Sequence, residues 1–97
     1  MTIELQMQTS IINALKKNGC LVYKQSSPPA PIGTPDLLVI YAPGAHLWIE
    51  AKTTTGQLSP IQKMQIKKLR KRGETVFVCR SVTEAKATIE ETRKDAQ

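Results

Sequence analysis

The chain has 97 residues and a formal net charge of +6, a size that suits one domain spanning residues 1–97 with a single two-layer core. It holds no run of about 18 apolar residues that could cross a membrane, and no basic stretch followed by an apolar one at its start that would read as a secretory signal. Cys20 and Cys79 lie far apart in apolar segments and read as buried reduced thiols, so the expected location is the cytoplasm.

The positive charge is concentrated. Between Lys63 and Arg80 there are seven basic residues and one acid, Glu74. Such a patch favours a polyanion partner such as nucleic acid, although a solvated helix face would look the same by charge alone.

In chain order, residues 3–18 read as a helix, with Met7, Ile11, Ala14, Leu15 and Asn18 at helical spacing, Thr2 as a possible cap and Gly19 as a stop. Glu4 falls between Ile11 and Leu15 on the helical wheel, so its carboxylate faces the core or a cleft within it. A first-turn acid favoured by the helix dipole is the simpler alternative. Cys20–Gln25 is a strand candidate. Residues 26–35 form a proline-stiffened loop that ends Gly33-Thr34-Pro35-Asp36. Asp36–Tyr41 and Leu47–Lys52 follow as strands joined by a hairpin over residues 42–45.

Alternation puts Leu47, Ile49 and Ala51 on one strand face and Glu50 and Lys52 on the other. If Ile40 pairs with His46, Asp36 lies opposite Glu50; a shift by two places it opposite Lys52. Either register gathers the three charged groups at one end of the hairpin, and a slip by one residue separates them.

Ser59-Pro60 starts a second long helix that runs to about Arg72 and stops at Gly73. Leu58, Ile61 and Leu69 set its apolar arc, with Met64 and Ile66 at the edges. Gln62 and Gln65 fall inside that arc and need polar partners. Lys63, Lys67, Arg70 and Lys71 cluster opposite and are the candidate DNA-binding residues. Thr75–Cys79 is a continuous apolar strand, as expected for one buried on both faces, and Ser81–Glu84 reads as a capping box opening a last helix. The order is α-β-β-β-α-β-α, an α/β domain with a mixed sheet.

Two carboxylates at neighbouring strand ends suit a hard divalent cation with oxygen ligands, to which the Ala51 carbonyl could add one. Lys52 beside them could orient a water or stabilise charge on a phosphate. The lone histidine, His46, has no Cys/His cluster around it, and no Gly-rich phosphate loop is present.

Gly33-Thr34-Pro35-Asp36, then Ile49-Glu50-Ala51-Lys52, then Leu58-Ser59-Pro60-Ile61-Gln62 resembles the PD-(D/E)xK nuclease superfamily, and more closely its stand-alone viral VRR-NUC (virus-type replication-repair nuclease) domains. The resemblance runs from Glu4 to about Ser81. It implies a restriction-endonuclease-like αβββαβ core with a mixed sheet flanked by helices, here followed by a C-terminal helix. It further implies Mg²⁺- or Mn²⁺-dependent cleavage of DNA in viral replication or repair, within the host cytoplasm. Small members resemble Holliday-junction resolvases and act as homodimers on branched DNA. Carried onto this chain, the resemblance makes Asp36 and Glu50 metal ligands beside the Ala51 carbonyl. Lys52 becomes the catalytic lysine, Gln62 the motif glutamine, and Glu4 a further acid near the metals. A flap or nicking nuclease is the alternative within this reading. A non-catalytic nucleic-acid-binding module and a structural domain with a Glu50–Lys52 ion pair are the alternatives outside it.

Overall fold

A computed structural model describes residues 3–25 and 30–95. Its elements are α1 (Ile3–Lys17), β1 (Leu21–Lys24), β2 (Leu37–Ala42), β3 (Ala45–Ala51), α2 (Pro60–Lys71), β4 (Val76–Cys79) and α3 (Val82–Asp95). This is the expected element order. The suggested Thr2 cap and the prolines at 28 and 29 lie outside the described residues.

The strands form one sheet in the order β1-β2-β3-β4. β1, β2 and β3 run antiparallel in sequence, and β4 joins β3 in parallel after the α2 crossover. Ile40 pairs with His46 and Leu37 with Ile49, so the register is the one that places Asp36 opposite Glu50. Pro43 and Gly44 make the turn, with Gly44 at φ +72°, and an irregularity between Ile40 and Ala42 shifts the pairing only next to that turn.

Register decides the faces. Leu37, Val39, Leu47, Ile49 and Ala51 pack with Ile11 and Leu15 of α1 and Ala85 and Ile89 of α3, each fully buried. Burying one such aliphatic side chain contributes about 1.5–3 kcal/mol, so this face carries the cohesion of the fold. The opposite face receives α2 against β3 and β4. Beyond α2 it presents half-buried Leu38, Ile40 and Trp48, with Leu21 and Tyr23 more than half exposed.

Three details depart from expectation. The inner face of α2 centres on Ile66, its one buried residue, while Ile61 and Met64 are exposed. Terminal β4 leaves Phe77 and Val78 half-buried, because a strand at the sheet edge has a neighbour on one side only. On α1 the buried stripe is Gln8, Ile11 and Leu15, with Met7 displaced to its margin.

Candidate active site

The site sits where β2 begins and β3 ends. Asp36 is held from both sides: its carbonyl accepts the Gln25 N–H at 2.7 Å, and its Oδ2 accepts the Ala51 N–H at 3.0 Å. The carboxylate is therefore tied to the strand that carries Glu50. Glu50 itself is 1% exposed, and its Oε1 is buried without a hydrogen-bond partner.

Gln62 reaches Glu50 from α2. The helix begins with a capping box in which Ser59 Oγ accepts the Gln62 N–H at 3.2 Å and Gln62 Oε1 accepts the Ser59 N–H at 2.9 Å. With its oxygen so engaged, the amide must present its nitrogen outward, and Nε2 donates to Glu50 Oε2 at 3.4 Å. One side chain thus caps a helix and orients a buried acid.

Glu4 enters over the end of the sheet from α1. Its Oε1 lies 3.5 Å from the ammonium of Lys52, and Lys52 is 9% exposed. Glu4, Asp36 and Glu50 each bring a carboxylate oxygen within 4.8 Å of the others. Oxygen ligands on opposite sides of a Mg²⁺ ion stand about 4.2 Å apart, twice the usual bond length, so small side-chain rotations bring this set to coordination distance. Together with the orphaned Glu50 Oε1, this makes the residues fit a hard divalent cation.

The electrostatics agree. Burial, then the charge of Asp36, push the Glu50 carboxyl up from 4.5 to about 8, with Lys52 pulling the other way. Between those two values the folded protein keeps a proton that the unfolded chain has lost. This contribution to stability is fully present below 4.5 and is lost as pH rises through about 8. In EDTA, the melting temperature is expected to fall from pH 5 to pH 8, and Glu50→Gln to flatten that dependence. A pH series of thermal melts checks this, and an equal slope in the variant rejects it.

The basic residues lie on the outer side of α2. Lys63, Lys67 and Lys71 are exposed and border a shallow groove floored by Leu58, Ile66 and Val78. Arg70 is also at this groove, but its Nη2 donates to the Val76 carbonyl at 2.7 Å, which clamps α2 onto β4 and spends part of its donor fork. Lys63 also borders a second depression with Arg80 and residues 54–58.

Three features escape the sequence reading. Arg80 donates from Nη1 to the carbonyls of Thr53 and Gly56, pinning the connection that follows Lys52. Glu74 Oε1 accepts from Trp48 Nε1 at 2.7 Å and meets His46 Nε2 at 2.8 Å, bonds that hold its carboxyl below the usual range, the one from Trp48 foremost. Gln8 is buried one turn along α1 from Glu4. The only local signal for any of these was the i,i+4 spacing of Glu4 and Gln8.

The VRR-NUC domain family model matches residues 5–83. The chain belongs to the VRR-NUC family. A solved structure described as a VRR-NUC domain is similar at 33% identity and TM-score 0.79, over 93% of this chain and 97% of that one. No curated protein matches the chain. The VRR-NUC assignment accounts for the nuclease-type fold and implies a nucleic-acid substrate. Among the described residues, no helix is long and apolar enough to cross a membrane.

Proposed function

We propose that this VRR-NUC domain is a Mg²⁺- or Mn²⁺-dependent endodeoxyribonuclease that hydrolyses phosphodiester bonds. The observation that carries the reading is the convergence of three carboxylate oxygens within 4.8 Å beside the buried ammonium of Lys52. Asp36, Glu50 and Glu4, with the Ala51 carbonyl, would hold the cation. When bound, the cation supplies positive charge to the scissile phosphate and lowers the pKa of a coordinated water.

The chain's own residues do the rest. Hydrolysis forms a bond from a water oxygen to phosphorus and breaks the ester bond in line with it, and the leaving oxygen takes up a proton. Lys52 places an ammonium where negative charge grows on the phosphoryl oxygens, in a site largely shielded from water, where a fixed charge counts for more. Gln62 holds the Glu50 carboxylate in one orientation. Lys63, Lys67 and Lys71 give the duplex backbone a landing surface, with Arg70 contributing what its clamp on β4 leaves free.

Four-way junctions are the substrate that the family resemblance implies. Each chain supplies one such site and so cuts one strand. Paired nicks across a junction therefore require a two-fold homodimer. The deciding experiment incubates the protein with labelled four-way junction, flap and linear duplex in Mg²⁺, Mn²⁺ or EDTA. Symmetrical paired nicks in the junction, lost in EDTA, are the expected result. Preferred cutting of the flap would select a flap nuclease instead, and binding without products in any metal would leave a nucleic-acid-binding module.

A further inference from the structure

Gln8 has no role in the site as described above, yet it is one of three buried polar or charged side chains among the described residues, the others being Glu50 and Lys52. It is 4% exposed, and its Oε1 is buried with no hydrogen-bond partner. An unsatisfied buried carbonyl oxygen opposes folding in a way that an apolar residue of similar shape would not. A leucine here would extend the stripe of Ile11 and Leu15. Gln8 instead lies one helical turn from Glu4 on the same face of α1, and Glu4 is a member of the carboxylate cluster.

The other orphaned buried oxygen among the described residues, Glu50 Oε1, belongs to that cluster as well. Both lack a donor. An ionised carboxylate accepts but cannot donate, so once a cation holds Glu4, Asp36 and Glu50 ionised none of them can satisfy Gln8. The strongest neutral donors available to such a site are waters in the shell of a divalent cation, which keeps several of them.

We infer that Gln8 belongs to the metal site as a positioning residue whose Oε1 accepts a hydrogen bond from a cation-bound water. The inference rests on the metal-dependent reading above. Gln8 would fix one water of the shell and, through it, the orientation of Glu4. Outer partners of this kind change metal affinity by about 10–100-fold when removed.

The test titrates Mn²⁺ into wild type, Gln8→Leu and Gln8→Glu in the absence of DNA. It follows the melting temperature and, independently, free Mn²⁺ by its electron paramagnetic resonance signal. Gln8→Leu is expected to melt at or above wild type without metal, because an unsatisfied polar group is gone, and to need about tenfold more Mn²⁺ for half saturation. Gln8→Glu, which adds a negative oxygen donor, is expected to saturate at lower Mn²⁺ than wild type. A Gln8→Leu protein that melts lower without metal but saturates like wild type overturns the inference and makes Gln8 structural. Should Gln8→Leu fail to fold, unchanged Mn²⁺ saturation in Gln8→Glu overturns it equally. Wild type that binds no Mn²⁺ in either readout refutes the metal reading itself.

Discussion

Lys52→Ala is expected to lower DNA cleavage by about 10²–10³-fold, the usual cost of removing one preorganised charge from a transition state, while folding and DNA binding persist. The ammonium has one ionic partner among the described residues, half-exposed Glu4 at 3.5 Å. Its loss leaves Glu4 able to turn to solvent and no buried anion newly stranded there. Removing the charge that opposes proton binding at Glu50 favours the protonated carboxyl still more, so cation uptake should also need higher pH. The proposed DNA-facing residues Lys63, Lys67 and Lys71 are unchanged in this variant. Glu50→Ala is expected to have an effect at least as large, since it removes a proposed ligand rather than a neighbour. Single-turnover cleavage, with binding measured by fluorescence anisotropy and folding by circular dichroism, checks both. Full activity in either purified variant sinks the assignment of this strand end as the active site. Lys52→Arg should not rescue, because a planar guanidinium cannot occupy the place of a compact ammonium in a buried site.

Gly33→Ala is expected to cost about 2–3 kcal/mol of stability and to slow cleavage as well. Gly33 has φ +89°, and a Cβ there would stand 2.9 Å from the Ile61 carbonyl oxygen, closer than side-chain carbons are found. The collision is with backbone in the first turn of α2, one residue before Gln62. The loop that carries Gly33 is braced by Thr34 Oγ1 donating to the Pro31 carbonyl at 2.6 Å and by Gln65 Nε2 donating to the Ile32 carbonyl at 3.4 Å. It therefore cannot yield without moving Asp36 on one side or Gln62 on the other. A misplacement of about 1 Å in a catalytic group can cost 10²-fold in rate. Gly44→Ala is the control: its φ is also positive at +72°, but its Cβ would meet nothing within 4 Å. It should lose about 1 kcal/mol from backbone conformation alone and cleave normally. Urea midpoints and cleavage rates of the two variants test the contrast, and equal behaviour would show that the contact with α2 is unimportant.

The parts of the site that were legible in the sequence are those governed by short-range periodicity. The strand alternation of Leu47, Ile49 and Ala51 against Glu50, the hairpin length that brought Asp36 opposite Glu50, and the Ser59-Pro60 start of α2 all depend on neighbouring residues. The inward amides of α2 were visible on a helical wheel for the same reason. Wheels were less reliable where the question was which side of a stripe the core takes. Ile61 belongs to the apolar arc by spacing yet is exposed, while of the two edge residues Ile66 is buried and Met64 is not, and Gln8, beside Leu15 on the wheel, is buried. A helix's pattern limits its buried face to an arc, and packing against the sheet selects the centre of that arc.

The sequence by itself therefore determined the order of elements, the parity of the hairpin and the presence of two acids and a lysine at one end of the hairpin. It carried the family resemblance as well, because the motif spacing is local. Tertiary structure decided that Glu4 meets Lys52 across 48 residues of chain, that Gln62 bonds both its own helix start and Glu50, and that Arg80 and Glu74 fasten segments remote from them. It also decided that Gln8 is buried without a partner. These contacts depend on the angle and depth at which α1 and α2 dock on the sheet. Those are set by the joint packing of side chains from several elements, a quantity that no stretch of the chain encodes alone.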